Sequence, residues 1–186
     1  GNVIQRVVRA IHRYSSAALV LTTVVHAWRI FVGARFTGRS RRWRWATGVA
    51  ALLVIWLAGV TGYWLVQDVR AQALSDAASA LLAPSARGAA WATRHLSGAG
   101  TGSGSWLLVA VWFAHLILTA VVAWFLFRHL RRSRLPWLPP RHWMILMGGA
   151  LMLVGLAFPV GMLPAASAGR LPGHMPLDPF VLFLLP

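Results

Sequence analysis

Four of the seven histidines in this 186-residue chain lie in apolar runs and form two pairs of equal spacing. His12 and His26 are fourteen positions apart in RAIHRYSSAALVLTTVVHAWR, and His115 and His129 are again fourteen apart in WFAHLILTAVVAWFLFRHLRR. On an α-helix that spacing falls within about 40° of four whole turns, so both imidazoles of a pair leave one face, roughly 21 Å apart along the axis. A polar group inside a transmembrane segment is costly and by default points to function, and neutral imidazole is a standard axial ligand to haem iron. Two helices with matched pairs can therefore hold two bis-histidine haems, with His12, His26, His115 and His129 as the iron ligands. The alternative reading is a transporter or proton-relay bundle in which midplane histidines pass protons. Few carboxylates and no broken helices count against it.

Such histidines need helices that cross a bilayer, and the composition supplies them. The chain is 58% hydrophobic, with 18 arginines, no lysine and three acids, for a net charge of +15. Basic nucleic-acid-binding domains are soluble and gather their charge on one face. Here the arginines sit between apolar spans, which points to a membrane protein and away from nucleic acid. The absence of cysteine excludes disulfides, thiolate metal sites, iron–sulfur clusters and covalently attached haem. Any haem must be held by histidine alone. The first residues, GNVIQRVVRAIHR, lack the apolar core of a secretory signal.

Four stretches can cross a hydrocarbon core of about 30 Å, at about 10–33, 46–66, 106–130 and 142–163. The expected fold is an all-α integral membrane four-helix bundle carrying two haems between its first and third spans, with residues 1–186 as a single domain. The link after span one carries Arg29, Arg35, Arg39, Arg41, Arg42 and Arg44, and the link after span three carries Arg128, Arg131, Arg132, Arg134 and Arg141. The positive-inside rule places both links on the cytoplasmic side. Spans one and three then run in the same direction, and their histidines pair by depth. His12 faces His115 near the outer surface, and His26 faces His129 near the inner one. Arg9, Arg13, Arg29, Arg128 and Arg131 flank these ligands, where each could hold a propionate as a bidentate donor or simply fix topology.

Span two, TGVAALLVIWLAGVTGYWLV, has no charge but contains Gly48, Gly59 and Gly62. These glycines serve close helix packing or leave room for a flat macrocycle. Residues 67–105 form an outer link. Its first half, VRAQALSDAASALLA, has helix-forming composition with a stripe at Val69, Ala73, Ala77, Ala80 and Leu81, and reads as a surface helix. Its second half, SGAGTGSGS, is a flexible linker. His95 reads as a solvated loop residue and His142 as an interfacial one. The Pro-rich outer tail, 164–186, either lies along the outer surface or begins another span.

The stretches RAIHRYSSAALVLTTVVHAWRIFVGARFTG and WATGVAALLVIWLAGVTGYW, with the 115/129 pair, resemble the N-terminal di-haem part of cytochrome b from bc-type complexes, particularly the form of photosynthetic membranes. The resemblance covers roughly residues 5–131. It implies that the four spans correspond to that family's second to fifth helices, that each histidine pair ligates one haem b, and that Gly48, Gly59 and Gly62 admit the macrocycles. It also implies that Arg9, Arg13 and Arg29 meet propionates. The chain departs from the pattern in three ways. The family's first helix is missing unless it belongs to an unseen part, Val66 and Gln67 replace its Pro-Trp turn, and its Pro-Glu-Trp-Tyr motif is absent, with Asp178 in MPLDPFVLFLLP the nearest counterpart.

The expected function is transmembrane electron transfer within a respiratory or photosynthetic quinone-linked oxidoreductase complex. The chain acts as a subunit, not as an enzyme by itself. Its cofactors are two non-covalent haems b, with quinone as a further candidate. Its partners are membrane lipid, other redox subunits and the quinone pool, in an energy-transducing membrane such as the bacterial inner membrane. The chain by itself is not expected to split the two electrons of a quinol, and Asp68 is the best surviving candidate for an outer proton acceptor.

Overall fold

The computed structural model describes residues 2–33, 37–88, 90, 106–133, 136, 138–161 and 163–165. Among these residues the regular structure is helical: α1 spans Val3–Val32, α2 Arg39–Val66, α3 Val69–Leu82, α4 Trp106–Ser133 and α5 Arg141–Ala157. Three helical segments, Val3–Val32, Arg41–Val66 and Trp106–Arg132, are long and apolar enough to cross a membrane. The fourth expected span is helical only over the 17 residues of α5. At about 1.5 Å per residue that is roughly 26 Å, a little short of the hydrocarbon core. It stops there because Phe158 leaves helical geometry (φ −127°, ψ 68°) ahead of Pro159, and a residue before proline is driven out of the α region.

The chain forms two compact units, one of Gly1–Trp56 with Ala120–Gly161 and the other of Leu57–Thr119 with Met162–Pro186. In the first, α1 and α5 pack together. Ala10, with no exposed surface, and the buried Gly155 meet at this seam, the small-residue contact by which membrane helices approach closely. The Tyr14 hydroxyl donates to the Phe158 carbonyl at 2.7 Å, supplying a partner to one of the orphan carbonyls at the end of α5. Along α1 the hydroxyls of Ser15, Ser16, Thr22 and Thr23 donate to carbonyls three or four residues back. Polar side chains thus satisfy themselves inside an apolar helix. Two features hold the ends of this unit's helices. Arg29 sits in the last turn of α1, where a cation meets the negative end of the helix dipole. Gly38, at φ +89°, supplies the left-handed turn that starts α2.

In the second unit, α2 ends where Gln67 takes φ +58°, and Asp68 at once caps α3. Its Oδ1 accepts from the amides of Arg70 at 2.9 Å and Ala71 at 3.3 Å. The expected helix after span two is present as α3, but its inward face differs from the alanine stripe. Val69, Ala71 and Ser75 are buried, while Leu81 is 82% exposed. The helix turns that way because its start is pinned at Asp68, whose neighbour Val69 donates its amide to the Pro164 carbonyl at 3.2 Å. Asp68 also forms an antiparallel bridge with Ala165. Tyr63, Val60 and Leu74 pack together behind this corner, and the Arg70 guanidinium lies 5.5 Å over the Tyr63 ring. The glycine-serine linker, His95 and the tail beyond Ala165, with Asp178, lie outside the described residues.

Candidate haem-ligating histidines

Both sequence pairs sit on unbroken helices, His12 and His26 on α1 and His115 and His129 on α4. Within the first unit, the rings of His26 and His129 face each other with centroids 6.0 Å apart and planes at 89°. An imidazole nitrogen lies about 2 Å from a metal it ligates, which puts the ring centroid roughly 3.2 Å from the ion and two such centroids roughly 6.3 Å apart. The observed 6.0 Å is close to that figure, with the two rings arranged as an edge-on pair. Among the described residues, no hydrogen bond joins the two rings.

Among the described residues there is also no cluster of three or more His, Cys, Asp or Glu able to hold an ion. Two imidazoles are the donor set by which a histidine pair would hold a haem, whose porphyrin supplies the metal's other ligands. The donor set therefore fits haem. Aromatic rings lie along the same end of this unit. Phe31 is tilted against Trp28 at 6.3 Å and against Trp45 at 6.4 Å. Arg128 stacks on Trp124 at 5.7 Å and Arg131 on Phe127 at 5.4 Å. These two arginines are exposed, and their stacking holds each against α4.

In the second unit His115 is held by α2. Its Nδ1 lies 2.9 Å from the Ala58 carbonyl oxygen and 3.1 Å from Thr61 Oγ1. Gly62 makes the approach possible, since a Cβ built there would sit 3.1 Å from His115 Cε1 and 3.6 Å from Nδ1. Gly62 thus leaves room for the imidazole itself. Gly48 and Gly59 are half-buried on α2, and a Cβ on Gly48 would meet nothing within 4 Å. Thr61 and the Ala58 carbonyl were not singled out by sequence. The available signal was a hydroxyl beside a glycine in the uncharged part of α2, a pattern that Thr47 and Gly48 share.

His12 belongs to the first unit and is exposed, and its carbonyl accepts from Ser15 and Ser16. Arg9 and Arg13 are half-buried on the same stretch of α1, and Arg29 is exposed one turn beyond His26. Asp68 is only 3% exposed, so it is a buried helix cap and not a solvated carboxylate.

The family model described as cytochrome b (N-terminal)/b6/petB matches residues 17–134, which include His26, His115 and His129 and leave His12 just ahead. Over 61 residues the chain is 38% identical to cytochrome b6 of Synechococcus elongatus and 36% identical to cytochrome b6 of Prochlorococcus marinus strain AS9601. Each match takes in 33% of this chain and 28% of the relative, so the chain aligns with less than a third of those proteins. No solved structure matches it. With helices of membrane-spanning length and a family match over more than half its length, the chain belongs to the cytochrome b family of bc-type complexes and most resembles the photosynthetic form.

Proposed function

We propose that this chain is a di-haem cytochrome b subunit that carries electrons across an energy-transducing membrane. His26 and His129 hold an inner haem b, and His12 and His115 hold an outer one. The observation that carries the reading is the pair of facing rings 6.0 Å apart at 89°. A haem held there would supply a one-electron couple at its iron. The protein's part is positional and electrostatic. The histidines would hold the haem irons at two depths set by the fourteen-residue spacing, and Arg9, Arg13 and Arg29 would meet the propionates as charge-assisted donors. Gly48, Gly59 and Gly62 keep α2 slim beside the cofactors and the ligand ring. The apolar faces of α1 and α4 exclude water.

The arginine-rich links lie on the cytoplasmic side, with the 67–105 segment and the tail on the other. The bridge between Asp68 and Ala165 supports placing the start of the 67–105 segment and of the tail on one side, because it ties the end of α2 to the chain that follows α5. The whole is one transmembrane domain of a quinone-linked oxidoreductase complex, whose other subunits and quinone pool supply and remove the electrons. A bacterial inner membrane is the setting in which such a charge bias operates.

The test is a reduced-minus-oxidised spectrum of the purified full chain with pyridine haemochrome quantitation, expected to give two haems b per chain. His26→Ala and His129→Ala should each remove one and the same haem, and His12→Ala and His115→Ala the other. A chain with no haem absorption, or partners within one pair that lose different haems, overturns the reading.

A further inference from the structure

The surroundings of His115 determine which of its nitrogens can face a metal. The Ala58 carbonyl oxygen, 2.9 Å from Nδ1, can only accept a hydrogen bond. Thr61 Oγ1, 3.1 Å from the same nitrogen, has acceptors of its own in the Leu57 and Ala58 carbonyls at 3.0 and 2.9 Å. Its proton is therefore directed back along α2, leaving a lone pair toward the imidazole. Two acceptors around one nitrogen require the proton to be on that nitrogen. In a neutral ring the lone pair then sits on Nε2.

We infer that Thr61, together with the Ala58 carbonyl, fixes the Nδ1–H tautomer of His115 and sets the strength with which its Nε2 donates to iron. This rests on the proposal that His115 is an axial ligand. Thr61 is a positioning residue and does not itself ligate. Three features within one turn or so of α2 serve one ring: the Ala58 carbonyl and the Thr61 hydroxyl orient it, and Gly62 allows it to come within 3.1 Å of where a Cβ would be. A hydrogen bond from the remote N–H of a ligating histidine raises its basicity, and losing such a partner typically weakens metal affinity by about 10–100-fold. A more basic ligand favours ferric iron, so removing the acceptor should raise the reduction potential.

The experiment uses the full chain with its haems, in Thr61→Val, which keeps the shape, and Thr61→Ser, which restores the hydroxyl. Redox titration should show the potential of the outer haem raised in Thr61→Val and that of the inner haem unchanged. Release of the outer haem to an apo-globin acceptor should be about tenfold faster, and Thr61→Ser should recover both values. Native potentials and release rates in Thr61→Val overturn the inference, as do equal shifts of both haems, which would mean general loosening. His115→Ala separates the two levels. If it removes one haem while Thr61→Val changes nothing, only the role of Thr61 falls. If it removes neither, the ligand assignment falls with it.

Discussion

Replacing Gly62 by alanine should stabilise the helix and weaken the cofactor at once. Glycine in a helix interior costs about 0.5–1 kcal/mol relative to alanine, so on propensity alone Gly62→Ala makes α2 more stable. The new methyl, however, would sit 3.1 Å from His115 Cε1, a few tenths of an ångström inside ordinary contact. Cε1 lies between the two ring nitrogens, so a push on it moves Nε2 and strains the Nδ1 contacts to Ala58 and Thr61. Overpacking of this kind costs about 1–3 kcal/mol. At its lower end that is roughly a fivefold loss of outer-haem affinity. The assay is paired. Thermal unfolding of the haem-free chain by circular dichroism should move up or stay level, while haem transfer measured by difference spectroscopy should show faster loss of the outer haem only. Gly62→Val should enlarge the second effect. If Gly62→Ala binds the outer haem as tightly as the native chain, the close approach of the His115 ring to α2 does not govern ligation, and the reasoning fails.

The cap at Asp68 gives a prediction that separates a structural carboxylate from a proton acceptor. Its Oδ1 accepts two amides at the start of α3, and asparagine caps as well as aspartate. Asp68→Asn should therefore keep native thermal stability and Asp68→Ala should lose about 1 kcal/mol, read as a lower melting temperature. An equal effect of both variants on haem reduction by quinol, with stability unchanged, would instead mark Asp68 as a proton acceptor. For topology, cysteines at two exposed sites, Thr37→Cys before α2 and Ser85→Cys after α3, can be probed in intact cells with an impermeant thiol reagent. Ser85→Cys should react and Thr37→Cys should not, and the opposite pattern inverts the proposed orientation.

The parts of this molecule that repeat along one helix were legible in the sequence. The fourteen-residue spacing needed only helical periodicity to single out His26 and His129, whose rings lie 6.0 Å apart. The long apolar runs needed only length to define the three segments able to cross a bilayer. Boundaries set by a single residue were less so. The fourth expected span was drawn to 163 because hydropathy continues past Ala157, whereas Pro159 ends the helix through the geometry of Phe158. The inward face of α3 was misread for a related reason. Alanines contribute almost no preference to a stripe, so the cap at Asp68 and the tether from Val69 to Pro164 decide the rotation instead.

What stayed hidden is the contact between α2 and His115. Thr61 and His115 are 54 positions apart in sequence, and nothing in the composition of either segment links them. A threonine in an apolar helix usually satisfies its hydroxyl on its own backbone, as Thr22 and Thr23 do on α1. Thr61 does this too, and in doing so becomes an acceptor for a second helix. That second use depends on the glycine at the next position, since any Cβ there would hold the ring away. Gly62 was legible as a place of close helix packing or of room for something flat. Whether the flat object is a macrocycle or a ligand ring is decided only by the register between α2 and α4. The same register makes the hydroxyl at 61 and the carbonyl at 58 converge on one nitrogen, so a shift of α2 by one residue would lose the glycine, the acceptors and the tautomer together.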